Sequence, residues 1–228
     1  AKKIQALGPK HGETAKAYDR LAKVYRDAGD FDRAEDLFLK ALAIREGLHG
    51  PKHPSIAASH SQLGELYRRK GQFGKAETAQ LKALAIRKER LGERHPKTGS
   101  SLFLLGLVYK HKGPYAKADK LFQEALAILQ PALGENHPKI ADVCNATGDL
   151  YRLMGDYARA EPFHRRALAL RERTFGPSHP KTAASYDRLG VLYQTVGDSA
   201  RAEPLYQKAL ASRKERLGAR HPATAASM

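Results

Sequence analysis

The chain has 228 residues, 42% of them apolar, with a formal net charge of +16 and a pI near 9.9. A single cysteine, Cys144, excludes an intrachain disulfide framework and fits a reducing compartment. No apolar run approaches the roughly 20 residues a membrane span needs and the N-terminus is not a signal peptide, so the composition points to a soluble, cytoplasmic protein with no membrane partner.

Taken in order, the chain is periodic. The stretch Leu91-Gly92-Glu93-Arg94-His95-Pro96 has close copies at Leu7–His11, His49–Pro54, Leu133–Pro138, Phe175–Pro180 and Leu217–Pro222. Its histidines (11, 53, 95, 137, 179, 221) stand 42 residues apart throughout, so no insertion interrupts the array. Repeats then run over 8–49, 50–91, 92–133, 134–175 and 176–217, with partial repeats at 1–7 and 218–228. We read 1–228 as one array. Neither end carries a polar capping repeat, which predicts a slice of a longer protein or self-association through uncapped ends.

Each repeat reads as two helices. In the second, Pro54 suits a first helical turn, Leu63, Leu66 and Tyr67 recur at helical spacing, and Gly71 ends the first helix, A. Helix B follows from about Phe73 to Leu91, and Gly92 ends it. In repeats one, four and five the turn is Gly-Asp, and Asp30, Asp156 and Asp198 can cap helix B. Pro162 and Pro204 fall inside helix B, where each removes a backbone bond, and Pro131 is expected to end the third helix B about a turn early.

Columns down the repeats define the packing. Ala22, Gly64, Gly106, Gly148 and Gly190 form one small-residue column and Ala34, Ala76, Ala118, Ala160 and Ala202 another, which predicts close approach of facing helices. Tyr25, Tyr67, Tyr109, Tyr151 and Tyr193 read as core anchors. Part of the excess charge has a structural reading too. Arg87-Lys88-Glu89-Arg90, Arg171-Glu172-Arg173 and Arg213-Lys214-Glu215-Arg216 each precede a Gly stop, where cations complement the helix C-terminus.

These columns resemble the tetratricopeptide repeat (TPR): a small residue and a Tyr three apart in helix A, Gly at the turn, and Ala twice in helix B at Ala76 and Ala83. The 42-residue length and the Leu-Gly-x-x-His-Pro connector are similar to the kinesin light chain type, found in many bacterial proteins beside signalling ATPase or protease domains. The resemblance implies an all-α, right-handed α-solenoid of TPR helix-turn-helix repeats, with A helices lining a concave groove. Kinesin light chains hold cargo peptides partly with paired asparagines in helix A. Here those positions read Asp19-Arg20, Ser61-Gln62, Phe103-Leu104, Asn145-Ala146 and Asp187-Arg188; only Asn145 keeps the family residue, so cargo binding is not carried over.

No enzymatic chemistry is expected. Zinc ligands sit about 2 Å from the ion, whereas packed helices are 8–10 Å apart, so the histidine column reads as a connector that fixes entry into helix A. Cys144 reads as a packed thiol, and no phosphate loop, metal cluster or Ser-His-Asp pattern is present, so no cofactor is expected.

The A-helix columns supply the candidate binding residues. Arg26, Arg68, Lys110 and Arg152 align along the expected groove, where cations suit carboxylates or phosphates. Asn145, Asp149 and Asp187 are further polar positions of that face. Repeat three departs from it: 102–109 is apolar almost all round, leaving Phe103 and Leu107 as an apolar anchor beside Arg68, Lys110 and Arg152. The expected function is a scaffold for a protein or peptide ligand, preferably an acidic segment with an apolar anchor. Alternatives are RNA binding through backbone phosphates, or the sensor or assembly arm of a larger signalling ATPase or protease.

Overall fold

The computed structural model describes residues 11–217. The partial repeats 1–7 and 218–228, with the His221 connector, lie outside the described residues. Ten α-helices succeed one another: α1 (Gly12–Asp27), α2 (Phe31–His49), α3 (Pro54–Arg69), α4 (Phe73–Leu91), α5 (Pro96–Lys112), α6 (Tyr115–Leu133), α7 (Pro138–Leu153), α8 (Tyr157–Phe175), α9 (Pro180–Thr195) and α10 (Ser199–Leu217). Odd-numbered helices are the A helices of the repeats and even-numbered ones the B helices. Two compact units divide the chain between Leu121 and Phe122, within α6. In the first, α1 pairs with α2 and α3 with α4, and α2 packs on α3 and α4 on α5. In the second, α7 pairs with α8 and α9 with α10, and α8 packs on α9. Each unit is an all-α stack of helical hairpins of the α-solenoid type.

The histidine column caps the A helices. The Nδ1 atoms of His53, His95, His137 and His179 accept the backbone N–H two residues on, at 3.0–3.2 Å. A ring nitrogen thus does what a Ser or Asp side chain does at other N-caps, and the proline that follows occupies a helical position whose N–H has no intrahelical partner. Asp30, Asp156 and Asp198 cap the B helices as expected, each accepting the N–H of the residue three further on. The turn glycines have φ between 69° and 88°, which side chains rarely tolerate.

Two expectations are corrected. Helix α6 does not stop before Pro131; it continues to Leu133, and the N–H of Gly134 still bonds the carbonyl of Gln130 at 3.0 Å. In the last turn Pro131 forfeits one backbone bond of its own and interrupts nothing beyond it. The glycine column also faces something larger than the alanine column. A Cβ built on Gly64 would lie 2.6 Å from the Gln80 side chain, on Gly148 2.7 Å from the His164 ring, and on Gly190 2.9 Å from the Tyr206 ring. The small residue makes room for one large helix-B side chain per hairpin.

Recurrent polar keys join successive repeats. The buried Arg45 of α2 donates to Asp19 of its own hairpin and to Ser59 of the next, both at 2.5 Å. Arg171 of α8 does the same with Asp142 at 2.6 Å and Ser185 at 3.0 Å, and Arg87 of α4 reaches Ser101 at 2.5 Å. Arg87 and Arg171, assigned from the sequence to helix C-termini, are therefore inter-repeat clamps, whereas Lys88, Arg90 and Arg173 do lie in the last turns of their helices. A second rung uses the tyrosine column, whose hydroxyls donate back to the preceding helix B: Tyr67 to Glu35, Tyr109 to Glu77 and Tyr193 to Glu161. A cation from the first turn of the same hairpin's helix B lies over each ring, from Arg33 over Tyr25 to Arg201 over Tyr193.

Candidate functional site

The first unit presents the A-face columns of α1, α3 and α5. Phe103 and Leu107 sit on α5, one turn apart and half-buried, with Leu104 and Lys110 half-buried on the same helix. The cations of the expected rim are less available than the sequence suggests. Arg26 holds Asp27 at 3.0 Å and reaches Gln62 of α3 at 3.3 Å. Arg68 makes a bidentate pair with Glu65 at 2.8 and 2.9 Å. Burial would raise the Glu65 carboxyl, but Arg68 and Arg69 outweigh it and hold it below the usual glutamate range. Arg20 and Lys23 of α1, by contrast, are exposed and form no ion pair among the described residues. Reading along the arginine column favoured residues that pair locally. A check for carboxylates one turn away separates Arg68, with Glu65, from Arg20, which has none; Lys23 has Asp19 and Asp27 four residues away, but these pair with Arg45 and with Arg26 and Arg69.

In the second unit the named residues serve packing to a greater extent. Asn145 is 3% exposed; its amide donates to Ser185 Oγ at 3.1 Å, and its oxygen lies 3.2 Å from the His164 ring. Asp149 meets Arg188 at 3.4 Å and lies 3.7 Å from the ring of His164. Asp187 is paired with Arg213 of α10. Arg152 is half-buried and, among the described residues, without an ion pair. The Asn145 network runs on through Ser185 to Arg171 and Asp142, a chain of polar groups linking α7, α8 and α9. The sequence did carry a signal for it. Where the helix-B column changes from Arg to Leu129, the serine column of the next A helix changes to Val143, and both residues are fully buried.

Cys144 is buried, and burial pushes its thiol up to about 11, so a packed thiol describes it better than a nucleophile. Among the described residues, no group of three or more His, Cys, Asp or Glu side chains can hold a metal ion, and no helix is long and apolar enough to cross a membrane.

A family model for the tetratricopeptide repeat matches residues 3–47, 13–89, 55–130, 97–173 and 148–215. The chain belongs to the tetratricopeptide repeat family. Among solved structures, BtubC (BKLC) from P. vanneervenii is 30% identical with a TM-score of 0.76, over 92% of this chain and 84% of that one. A P. anserina protein, described as a kinesin light chain with nearly identical TPR-like repeats, is 25% identical with a TM-score of 0.70, over 90% and 97% of the two chains. The TPR array is thus of the kinesin light chain-like type. A Rap protein complexed with competence and sporulation factor, 18% identical with a TM-score of 0.76 over 87% of this chain and 53% of that one, shares the fold. No curated protein matches the sequence. The TPR fold is typically a non-catalytic scaffold for protein–protein interaction.

Proposed function

We propose that this TPR protein binds an acidic, extended peptide segment on the A-face of its first unit, with a large apolar residue of the ligand set against Phe103 and Leu107. The observation that carries the reading is the pairing of chemistries on that face. Half-buried apolar side chains stand at columns that are polar in neighbouring repeats, and Arg20 and Lys23 supply uncompensated positive charge on the same set of helices. The apolar contact supplies affinity and the cations select ligand charge and speed encounter. Arg26 and Arg68, already paired, act as a rim that orients more than it attracts. The Asp19, Asn145 and Asp187 side chains are engaged within the protein, so an amide clamp on the ligand backbone is not part of the reading.

Fluorescence anisotropy against a labelled acidic-aromatic peptide pool, at low and physiological salt, tests it. Saturable binding that survives salt and falls by roughly 30-fold in Phe103→Asp, with unchanged helicity, is the expected result. Affinity unchanged in Phe103→Asp removes the anchor. Binding of a single-stranded RNA instead, with affinity falling about 0.7 log units per log unit of salt for each phosphate neutralised, would assign the cations to phosphate recognition.

A further inference from the structure

The B helices form a second concave feature. In the first unit a cleft of about 420 Å³ opens between α2 and α4, floored by α3; in the second a cleft of about 520 Å³ opens between α8 and α10, floored by α9. The two are the same feature shifted by three repeats: Leu42 answers to Leu168, Leu63 to Leu189, Tyr67 to Tyr193 and Lys82 to Lys208. That each unit builds the cleft independently makes it a property of the repeat. The cause is small residues: in the first unit Gly74, Thr78 and Ala79 on α4 leave uncovered a space that larger side chains would fill.

The two clefts differ in charge. Arg165 and Arg201 at the second are compensated, by Glu161 at 2.7 Å and Asp198 at 2.5 Å, and Glu172 joins its lining. At the first, no carboxylate lines the cleft among the described residues. Lys75 lies over the Tyr67 ring at 5.3 Å, within reach of the field of Glu35, which accepts from the Tyr67 hydroxyl at 3.0 Å and pairs with Lys70. Lys82 is exposed with no ion pair among the described residues and is the uncompensated charge of the cleft. Burial and then the nearby Lys82 push His60 of the floor down, which disfavours a charge on its imidazole. At the lip Leu39 is 45% exposed, above a floor of Leu42, Leu63 and Ala79.

We infer that the cleft between α2 and α4 docks an acidic amphipathic helix of a partner protein, a surface separate from the A-face. A groove between two neighbouring helices accepts the side-chain ridge of a third, and its volume suits side chains along one ridge and not a backbone. The apolar ridge meets Leu39, Leu42 and Leu63, and carboxylates flanking it meet Lys75 and Lys82. The cleft between α8 and α10, with its own carboxylate and compensated arginines, takes the same helix more weakly.

The test uses the full chain and a labelled helical peptide of about four turns, with Leu at successive i, i+4 positions and Glu beside them. A scrambled peptide of the same composition and a single-stranded RNA serve as comparisons. The expected result is binding of the patterned peptide alone, weakened about tenfold or more by Leu39→Asp and by Lys82→Glu and unchanged by Phe103→Asp. Both substitutions are at exposed positions, and circular dichroism verifies that each variant keeps its helicity. Loss of binding in Phe103→Asp would move the site to the A-face. Equal binding of the scrambled peptide or of RNA would reduce the cleft to non-specific charge, and no binding of the patterned peptide would overturn the inference.

Discussion

The A-face columns of the two units carry homologous positions and spend them differently. In the first unit, position 103 is a half-buried Phe, and Arg20 and Lys23 face solvent unpaired; in the second, the position equivalent to Phe103 is Asn145, buried and bonded to Ser185 and His164. The repeat thus offers a helix-A column that can be turned outward for a ligand or inward for cohesion. The helix-B register matches this difference. His164 is a large buried polar side chain packed over Gly148 and requires a polar partner, whereas the repeat of Phe103 carries the buried Phe122 at that position, which requires none.

The largest effect that would break this contrast is expected at Arg171, the hub of the second unit's polar chain. Arg171→Leu strands Ser185 and Asp142, and because Asp142 can regain water the expected loss is about 2 kcal/mol, less than for a fully enclosed pair. The double variant Arg171→Leu, Ser185→Val copies the Leu129 and Val143 pair that the same chain uses between its third and fourth repeats, but it also removes the acceptor of the buried Asn145 amide, so it should recover less than half of that loss. Urea unfolding followed by circular dichroism measures both. A double variant no more stable than the single would show that the column changes are independent.

A smaller effect sharpens the contrast. Asn145→Ala leaves buried hydrogen-bonding groups on Ser185 and His164 less satisfied and should cost about 1–2 kcal/mol of stability, with peptide affinity unchanged. Affinity lost along with stability would mean that the second unit shares the ligand site.

Much of this was legible in the sequence, for physical reasons that differ by element. The 42-residue period located every helix among the described residues, because Gly at positive φ and His-Pro at an N-cap are local requirements that recur with the turn. The alanine column declared burial in the same way, whereas of the tyrosine column Tyr151 and Tyr193 are buried and Tyr25, Tyr67 and Tyr109 half-buried. The polar keys were harder to read. Arg171 and Ser185 are 14 positions apart, and nothing local distinguishes a clamp from a cation at a helix end. Pro131 misled because a proline's cost depends on how many turns follow it. Asn145 drew attention as the one family-like asparagine, yet its role is set by His164, 19 positions away.

The smallest expected effect concerns a device the two units share, the tyrosine-to-glutamate rung. Glu77 is held below the usual glutamate range by hydrogen bonds from Lys112 and Tyr109, and at Glu35 burial acts upward but Lys70 and Tyr67 outweigh it. At Glu161, too, burial acts upward and is outweighed by Tyr193 and Arg165. A carboxyl depressed by folding stabilises the fold above its unfolded pKa, and that contribution is lost as pH falls through the folded value. The phenols shift the other way. Tyr67 is pushed up to about 12 by burial and then by Glu35, and Tyr109 to about 12 by Glu77 and then by burial. Their contribution is complete below the ordinary tyrosine pKa and is lost as pH rises through about 12. At neutral pH both sides are saturated, so the rung should show no pH dependence there. Ultraviolet titration of the native chain should accordingly find a group of tyrosines ionising late, and Glu35→Gln with Glu77→Gln should bring Tyr67 and Tyr109 earlier while leaving Tyr193, bonded to Glu161, where it was. If Tyr193 moved with them, the rungs would be coupled along the array and not local to each pair of hairpins.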